Sequence, residues 1–349
     1  MSYFINRIIY FCLSLLIIIA ISEILLRYSL TPRYFDVVEA SIEKQEKIDF
    51  IFLGYSRTAA SVNTEVFMKY FNGANKNHGK VFNLANGSIS VPEYYLGLKK
   101  IFKSYPDKLK GAKIFIEAPG LVLEPFDWEK DTWGNPKARG PLTEVLLWED
   151  IPGLFKSHTS DKAYVFAEFC NPFKIWDKRI YIREMIVKWR LDNNLKNYFS
   201  NTTDKNEKLL TNKGGIRTDK EGILLNRKMV IETTTSRIHR EMGAWDKSIV
   251  QDIINLIRKN NCDIVFFQAA ESSLYYESYK DSIHQLNQKK FKMYLDRNKV
   301  ILVAPKCRFP DEDFPDLSHL SDAKSPFFTN CLIDEYLKEI KNTNEILSN

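Results

Sequence analysis

A serine, an aspartate and a histidine have the types and spacing needed for acyl transfer. Ser56 follows an apolar run and Gly54 in "FIFLGYSRT", and Asp316 and His319 lie together in "FPDLSHLS" near the end of the 349-residue sequence. A carboxylate three residues before an imidazole can share a face with it, hold its Nδ1–H and stabilise the imidazolium that forms when Nε2 accepts a proton. A serine hydroxyl needs such a base to attack an ester. Taken singly, Ser56 could instead cap a helix after a tight turn at Gly54, and His319 could be a surface histidine in a helix-capping segment.

Five short apolar runs that alternate with helical patterns would position these residues. The runs span residues 48–54, 80–85, 112–119, 262–270 and 299–305, with helix-like stretches such as 91–104 and 246–260 between them. This alternation predicts an α/β fold, a three-layer α/β/α flavodoxin-like domain with a mostly parallel five-stranded sheet covered by helices on both faces. Ser56 would then lie at the carboxyl edge of the sheet, where α/β folds bind their ligands.

The N-terminal region contains a long apolar stretch. Residues 8–26 are apolar apart from two serines and Glu23, are bracketed by Arg7 and Arg27, and are long enough to cross a bilayer. We interpret residues 1–27 as an uncleaved transmembrane anchor and residues 28–47 as a stalk. A cleaved signal peptide is the alternative, but the stretch is long for one and no small-x-small cleavage site follows. A short tail before a large C-terminal domain is typical of a signal anchor, with the domain outside the cytoplasm, periplasmic or extracellular.

A large insertion interrupts the strand spacing. Roughly 140 residues separate the third and fourth apolar runs, too many for a simple crossover. We therefore predict that residues 48–120 and 246–349 form the α/β domain and that residues 121–245 are an insertion, a lid or substrate region. The insertion holds all six tryptophans of the chain. These side chains could form a small core of their own, or one or two could line a cleft and stack on sugar rings.

Composition argues against several function classes. The net charge of +6 is spread along the chain with acidic residues between the basic ones, which indicates a solvated surface and no nucleic-acid partner. The five cysteines have neither metal-ligand spacing nor the density of a disulfide framework. The other histidines are isolated, and no phosphate-binding Gly-rich loop is present. We therefore expect neither a metal nor a cofactor.

Three segments together resemble a known family. "FLGYSRT" (52–58), "FNLANGS" (82–88) and "DLSHLS" (316–321) resemble sequence blocks of the SGNH (GDSL-like) hydrolase superfamily. The resemblance is to its membrane-anchored bacterial branch, which includes alginate O-acetylation proteins and the D-alanyl-transfer protein of teichoic-acid modification. It implies that Ser56 is the nucleophile, that Asp316 and His319 complete the triad, and that the backbone N–H groups of Ser56 and Gly87 hold the oxyanion. Gly87 could equally serve a tight turn, and both roles are compatible.

The sequence departs from the family pattern in one place. After the third strand the common hydrolase pattern has a Gly-x-Asn-Asp segment, whose asparagine is a further oxyanion donor, but this chain has "IEAPGLVLEP" (116–125). Loss of one such donor can slow catalysis on the order of 100-fold to 1000-fold. The oxyanion hole would then have two backbone donors, or a third from the insertion. The resemblance gives Glu117 no role, and Arg57 could bind an acidic sugar or acyl donor or pair with a surface carboxylate.

The resemblance implies a serine acyltransferase that moves an acyl group, expected to be acetyl, to or from a cell-surface or exported polysaccharide through an acyl-serine intermediate. If the acceptor is water, the protein would be a carbohydrate esterase of the same fold. A third possibility is a non-catalytic polysaccharide-binding or assembly protein. The implied partners are the membrane, a polysaccharide acceptor, and a multi-pass membrane acyltransferase or export complex.

Overall fold

The structure is a computed structural model. It describes residues 2–29, 34–72, 80–85, 91–118, 145–156, 165–166, 169–170, 249–273, 282–315 and 319–348, and in the first helix it describes the side chains of residues 4–18 and 21. Asp316, Gly87 and most of the predicted insertion lie outside the described residues.

A five-stranded parallel sheet forms the centre of the domain. Its strands are β1 (Ile48–Leu53), β2 (Lys80–Asn83), β3 (Lys113–Glu117), β4 (Asp263–Phe267) and β5 (Ile301–Val303). The strand order is β2-β1-β3-β4-β5, and every neighbouring pair is parallel. This order is consistent with a flavodoxin-like fold. The prediction of an α/β fold with five parallel strands is therefore confirmed.

The described part of the chain contains helices that connect or cover the strands, together with an N-terminal helix whose described side chains are all exposed. They are α1 (Ser2–Ser29), α2 (Tyr34–Glu43), α3 (Ser56–Ser61), α4 (Thr64–Asn72), α5 (Val91–Ser104), α6 (Ile151–Lys156), α7 (Ile249–Lys259), α8 (Ser282–Arg297) and α9 (Ser325–Ser348). Short 3-10 turns occupy Trp148–Asp150 and Asp311–Asp313. Helices α5 and α7 lie where the apolar spacing predicts helices, because residues three and four apart share one face.

The strands bury both of their faces. Ile51 and Ile114 belong to the core that α2, α5, α7 and α8 cover, whereas Phe52 and Phe115 belong to the core under α4 and α9. The rings of Phe52 and Phe115 lie 4.8 Å apart on neighbouring strands, and Phe67 of α4 packs edge-on against Phe52 at 5.0 Å. Burial on both faces explains why the strands have near-continuous apolar sequences.

Helix α2 lies within the segment predicted to be a stalk. Val38 and Ile42 of this helix are fully buried in the core shared with α5. Glu39 forms an ion pair with Lys100 of α5 at 3.1 Å. Part of the predicted stalk therefore packs into the α/β domain.

Part of the predicted insertion also packs onto this core. Val145 and Leu154 are fully buried there. Lys99 of α5 contacts Asp150 at 2.5 Å and Glu149 at 2.9 Å. Trp148 is 70% exposed and meets the ring of Phe169 at 4.8 Å. The other five tryptophans lie outside the described residues, so both hypotheses for them stay predictions.

Within the described part of the chain, no helix is both long enough and apolar enough to cross a membrane.

Candidate functional site

Ser56 lies on the turn that follows β1, an inner strand of the sheet between β2 and β3. The strand ends at Leu53, Tyr55 is the N-cap residue with an extended backbone (φ −83°, ψ −171°), and Ser56 is the first residue of α3. Ser56 is half-buried at the carboxyl edge of the sheet. The capping position thus belongs to Tyr55 and not to Ser56.

The turn requires glycine at position 54 because neighbouring side chains leave no room for a Cβ atom. A Cβ added to Gly54 would lie 2.2 Å from Oγ1 of Thr58 and 2.7 Å from Oε2 of Glu117. The hydroxyl of Tyr94, from α5, donates a hydrogen bond to the carbonyl of Gly54. The sequence suggested that Gly54 permits a tight turn. The structure shows that the side chains of Thr58, Glu117 and Tyr94 also pack closely against it.

Glu117, the last residue of β3, is the polar centre of this turn. Its side chain is fully buried. The backbone N–H of Tyr55 donates to Oε2 at 2.8 Å, and the Thr58 hydroxyl donates to the same oxygen at 2.6 Å. Nη2 of Arg57 lies 3.1 Å from Oε1. Sequence reasoning assigned Glu117 no role, although an acidic residue that ends an otherwise apolar strand was a signal for a site at this edge.

Arg57 joins the ends of two strands. Besides its contact with Glu117, its Nη1 donates to Oε1 of Glu271, beyond the end of β4, at 2.9 Å. The Arg57 side chain is only 14% exposed. Burial raises the pKa of the Glu271 carboxyl, and the Arg57 guanidinium opposes that rise. Of the two roles predicted for Arg57, the structure shows pairing with carboxylates, and these carboxylates are largely buried.

Asn83 connects the second family-like block to α3. Its side-chain amide donates to the carbonyls of Thr58 and Val62, each at 3.4 Å, and its Oδ1 accepts from the backbone N–H of Ala85 at 3.1 Å. The N–H of Leu84 donates to the carbonyl of Phe52 at 2.8 Å. The chain leading to Gly87 therefore starts beside the helix that Ser56 begins.

His319 lies in the loop between β5 and α9. It is half-buried, its Nε2 atom is enclosed, and the neighbouring Leu320 is fully buried in the core under α4 and α9. The N–H of Ser321 donates to the carbonyl of Asp313 at 2.8 Å, and Lys324 forms an ion pair with the Asp313 carboxylate at 3.3 Å. These contacts hold the His319 loop against the domain.

Helix α9 ties this loop to the region after Ser56. The N–H of Asn63 donates to Oγ1 of Thr329 at 2.8 Å, and the Thr329 hydroxyl donates to the carbonyl of Ser325 at 2.8 Å. His319 lies six positions before Ser325, the first residue of α9, and Asn63 lies two positions after Ser61, the last residue of α3. Ser56 is thus the chain neighbour of Arg57, which contacts Glu117 and Glu271. The His319 loop leads into α9, which contacts the chain just after α3.

In the part of the chain that is described, no group of three or more His, Cys, Asp or Glu side chains could hold a metal ion.

Comparison with known proteins gives no family assignment. No protein-family model matches the chain. A search of the curated proteins likewise finds no match. Membership of the SGNH superfamily therefore stays a prediction from the three sequence blocks.

Proposed function

We propose that this protein is an SGNH-type serine acyltransferase, with Ser56 as nucleophile, His319 as its general base and Asp316 as the carboxylate that orients His319. One observation carries the proposal: Ser56 is the first residue of α3, in the turn that follows the inner strand β1, and the N-cap of that helix is a different residue. His319 follows β5, whose carboxyl end meets the same edge of the parallel sheet. Such an edge is the usual ligand-binding position of α/β folds.

In the proposed reaction, Nε2 of His319 takes the proton of the Ser56 hydroxyl as Oγ forms a bond to the acyl carbon of an ester. The N–H groups of Ser56 and Gly87 hold the oxyanion of the tetrahedral intermediate. As the ester C–O bond breaks, the imidazolium returns its proton to the leaving alcohol, and the acyl group stays on Ser56. A hydroxyl of the acceptor then attacks this acyl-serine, with His319 acting again as base and then as acid.

The proposed setting is a membrane surface outside the cytoplasm, with a polysaccharide as acceptor and a multi-pass acyltransferase or export complex as partner. Support comes from the apolar run at residues 8–26. Described apolar side chains of α1 are also exposed, among them Phe11 at 70% and Leu16 at 60%. A group of exposed apolar side chains is typical of a surface that contacts lipid or another protein. A membrane anchor would keep the enzyme close to a lipid-linked acyl donor.

Covalent trapping of the full-length protein tests the nucleophile. The purified chain is incubated with nitrophenyl acetate and, separately, with a fluorophosphonate probe, and the modified peptide is identified by mass spectrometry. We expect an adduct on Ser56 that is lost in Ser56→Ala and forms much more slowly in His319→Ala. Ser273→Ala is the matched control, because Ser273 is also at the carboxyl edge but is exposed and bonded to Asp311.

The outcomes separate the functional hypotheses. An acetyl-Ser56 adduct that is discharged faster by oligosaccharide hydroxyls than by water supports a transferase, whereas discharge by water alone indicates an esterase. A folded wild-type protein that acquires no adduct from either reagent would contradict the proposal and favour a binding or assembly role.

A further inference from the structure

We propose that Glu117 is a positioning residue for Ser56: its buried carboxylate holds the turn from Gly54 to Thr58 in the conformation that presents the Ser56 hydroxyl. This inference rests on the proposed role of Ser56. Glu117 itself would touch no reacting atom.

The contacts of Glu117 lie on both sides of Ser56 in the sequence. Oε2 accepts from the N–H of Tyr55 at 2.8 Å and from the hydroxyl of Thr58 at 2.6 Å. Oε1 lies 3.1 Å from Nη2 of Arg57. Tyr55, Arg57 and Thr58 thus all contact one carboxylate, and Ser56 lies between them in the sequence. A group held on both sides in this way keeps its backbone direction, which a nucleophile needs to meet the acyl carbon.

The donors that surround Glu117 require a carboxylate. The Tyr55 N–H can only donate, the Thr58 hydroxyl is placed to donate, and the Arg57 guanidinium forms an ion pair with Oε1, whereas a carboxylate offers only acceptors and carries the opposite charge. A glutamine has the same shape but one end of its amide is a donor. In one orientation the amide NH₂ faces the Tyr55 N–H and the Thr58 hydroxyl, and in the other it faces the Arg57 guanidinium. Neither orientation satisfies the set, so Glu117→Gln should loosen the turn without a change in side-chain volume.

Glu271 offers a chemically matched comparison. It also contacts Arg57, through its Oε1 at 2.9 Å. A glutamine at position 271 can still turn its carbonyl oxygen toward Arg57. Glu271→Gln therefore makes the same chemical change beside the same guanidinium but leaves the described hydrogen bonds to Tyr55 and Thr58 in place.

Fluorophosphonate labelling kinetics of Ser56 in the full-length protein test the proposal. We expect Glu117→Gln to lower the limiting labelling rate by about 10-fold to 100-fold, the scale expected for a misplaced reacting group, with the probe's half-saturating concentration within about twofold of wild type. Glu271→Gln should lower that rate by less than about threefold. Thr58→Val, which removes one donor and keeps the carboxylate, should give an intermediate loss and serves if Glu117→Gln does not fold.

A variant in the distant core distinguishes a positioning role of Glu117 from a general loss of protein stability. Ile257→Ala removes a fully buried side chain of α7 on the other face of the sheet. It should lower the melting temperature and leave the limiting labelling rate of Ser56 unchanged. If Ile257→Ala slows labelling as much as Glu117→Gln does, at an equal loss of stability, the positioning role is refuted.

Amide hydrogen exchange provides a readout that does not depend on catalysis. Glu117→Gln should speed exchange at the Tyr55 amide, which donates to this carboxylate, more than exchange in the strands. If wild type labels at Ser56 and folded Glu117→Gln labels and exchanges like wild type, Glu117 has no positioning role and the proposed function stands. If wild type does not label at Ser56, the proposed function fails, and Glu117 is then no positioning residue for this reaction even where exchange shows that it holds the turn.

Discussion

Gly54→Ala tests how tightly the turn before Ser56 is packed. The added Cβ would lie 2.2 Å from Oγ1 of Thr58, 2.5 Å from Cβ of Thr58 and 2.7 Å from Oε2 of Glu117. All three distances are too short for carbon. The two side chains also form a buried hydrogen bond of 2.6 Å with each other. To admit the methyl group, Thr58 and Glu117 must separate or the end of β1 must move.

The cost can be estimated from these contacts. Overpacking a closely packed position typically costs about 1–3 kcal/mol. Disrupting a buried hydrogen bond to a charged group costs about 1–3 kcal/mol more. We therefore expect Gly54→Ala to lower the free energy of unfolding by about 2–6 kcal/mol in urea titrations with an unchanged m-value. It should also slow probe labelling of Ser56, because Thr58 and Glu117 would no longer hold the turn.

Two other glycines provide controls for this substitution. A Cβ at Gly153, in α6, would meet nothing within 4 Å. Gly153→Ala should therefore be neutral or stabilise by up to about 1 kcal/mol, since alanine favours a helix. Gly111 is equally open but has φ +79°, so Gly111→Ala should cost about 1–2 kcal/mol from backbone conformation alone. If the stability of Gly54→Ala equals that of Gly153→Ala, the turn relaxes easily and the packing argument is wrong.

Two further predictions concern the supports of the domain. Thr329→Val should lower the free energy of unfolding by about 1–3 kcal/mol, because the Asn63 N–H loses its acceptor. Thr329→Ser keeps the hydroxyl and should retain most of the stability. Equal losses in thermal melts of the two variants would contradict this prediction. Hydrogen bonds from Lys103 and then Lys99 lower the pKa of Glu149 from 4.5 to about 2. Because the folded pKa is the lower one, this pairing stabilises the protein above about pH 4.5 and its contribution is lost as the pH falls toward 2. NMR titration should show a higher Glu149 pKa in Lys103→Met, and an unchanged pKa would refute the pairing.

Much of the sheet could be predicted from local patterns. The runs at residues 48–54 and 112–119 are too short and too rich in β-branched and aromatic residues for helices, and they became β1 and β3. The stretch at 91–104 has helical spacing and became α5. These predictions succeed because the side chains on one face of a strand repeat every two residues and those on one face of a helix every 3.6 residues. The order of apolar residues therefore indicates which faces are buried.

The boundaries of the domain were harder to predict. Helix α2 lies in the predicted stalk, yet Val38 and Ile42 are fully buried, and Val145 of the predicted insertion is buried in the same core. A short amphipathic segment shows that it has an apolar face but not which surface covers it. Its partner, α5, follows it by nearly fifty residues in the chain.

The sequence by itself determined the α/β architecture and the position of Ser56 directly after a buried strand. Only the tertiary structure decided which groups lie around the turn that contains this serine. Glu117 accepts hydrogen bonds from the Tyr55 N–H and the Thr58 hydroxyl, and Arg57 donates one to Glu271, which is 214 residues away in the sequence. The physical reason is that strand order and register set these contacts. β3 is the neighbour of β1 and β4 the neighbour of β3, so residues remote in the chain meet at one edge of the sheet. The periodicity of apolar residues indicates whether a residue is buried, whereas the order of strands in the folded sheet determines which residues it contacts.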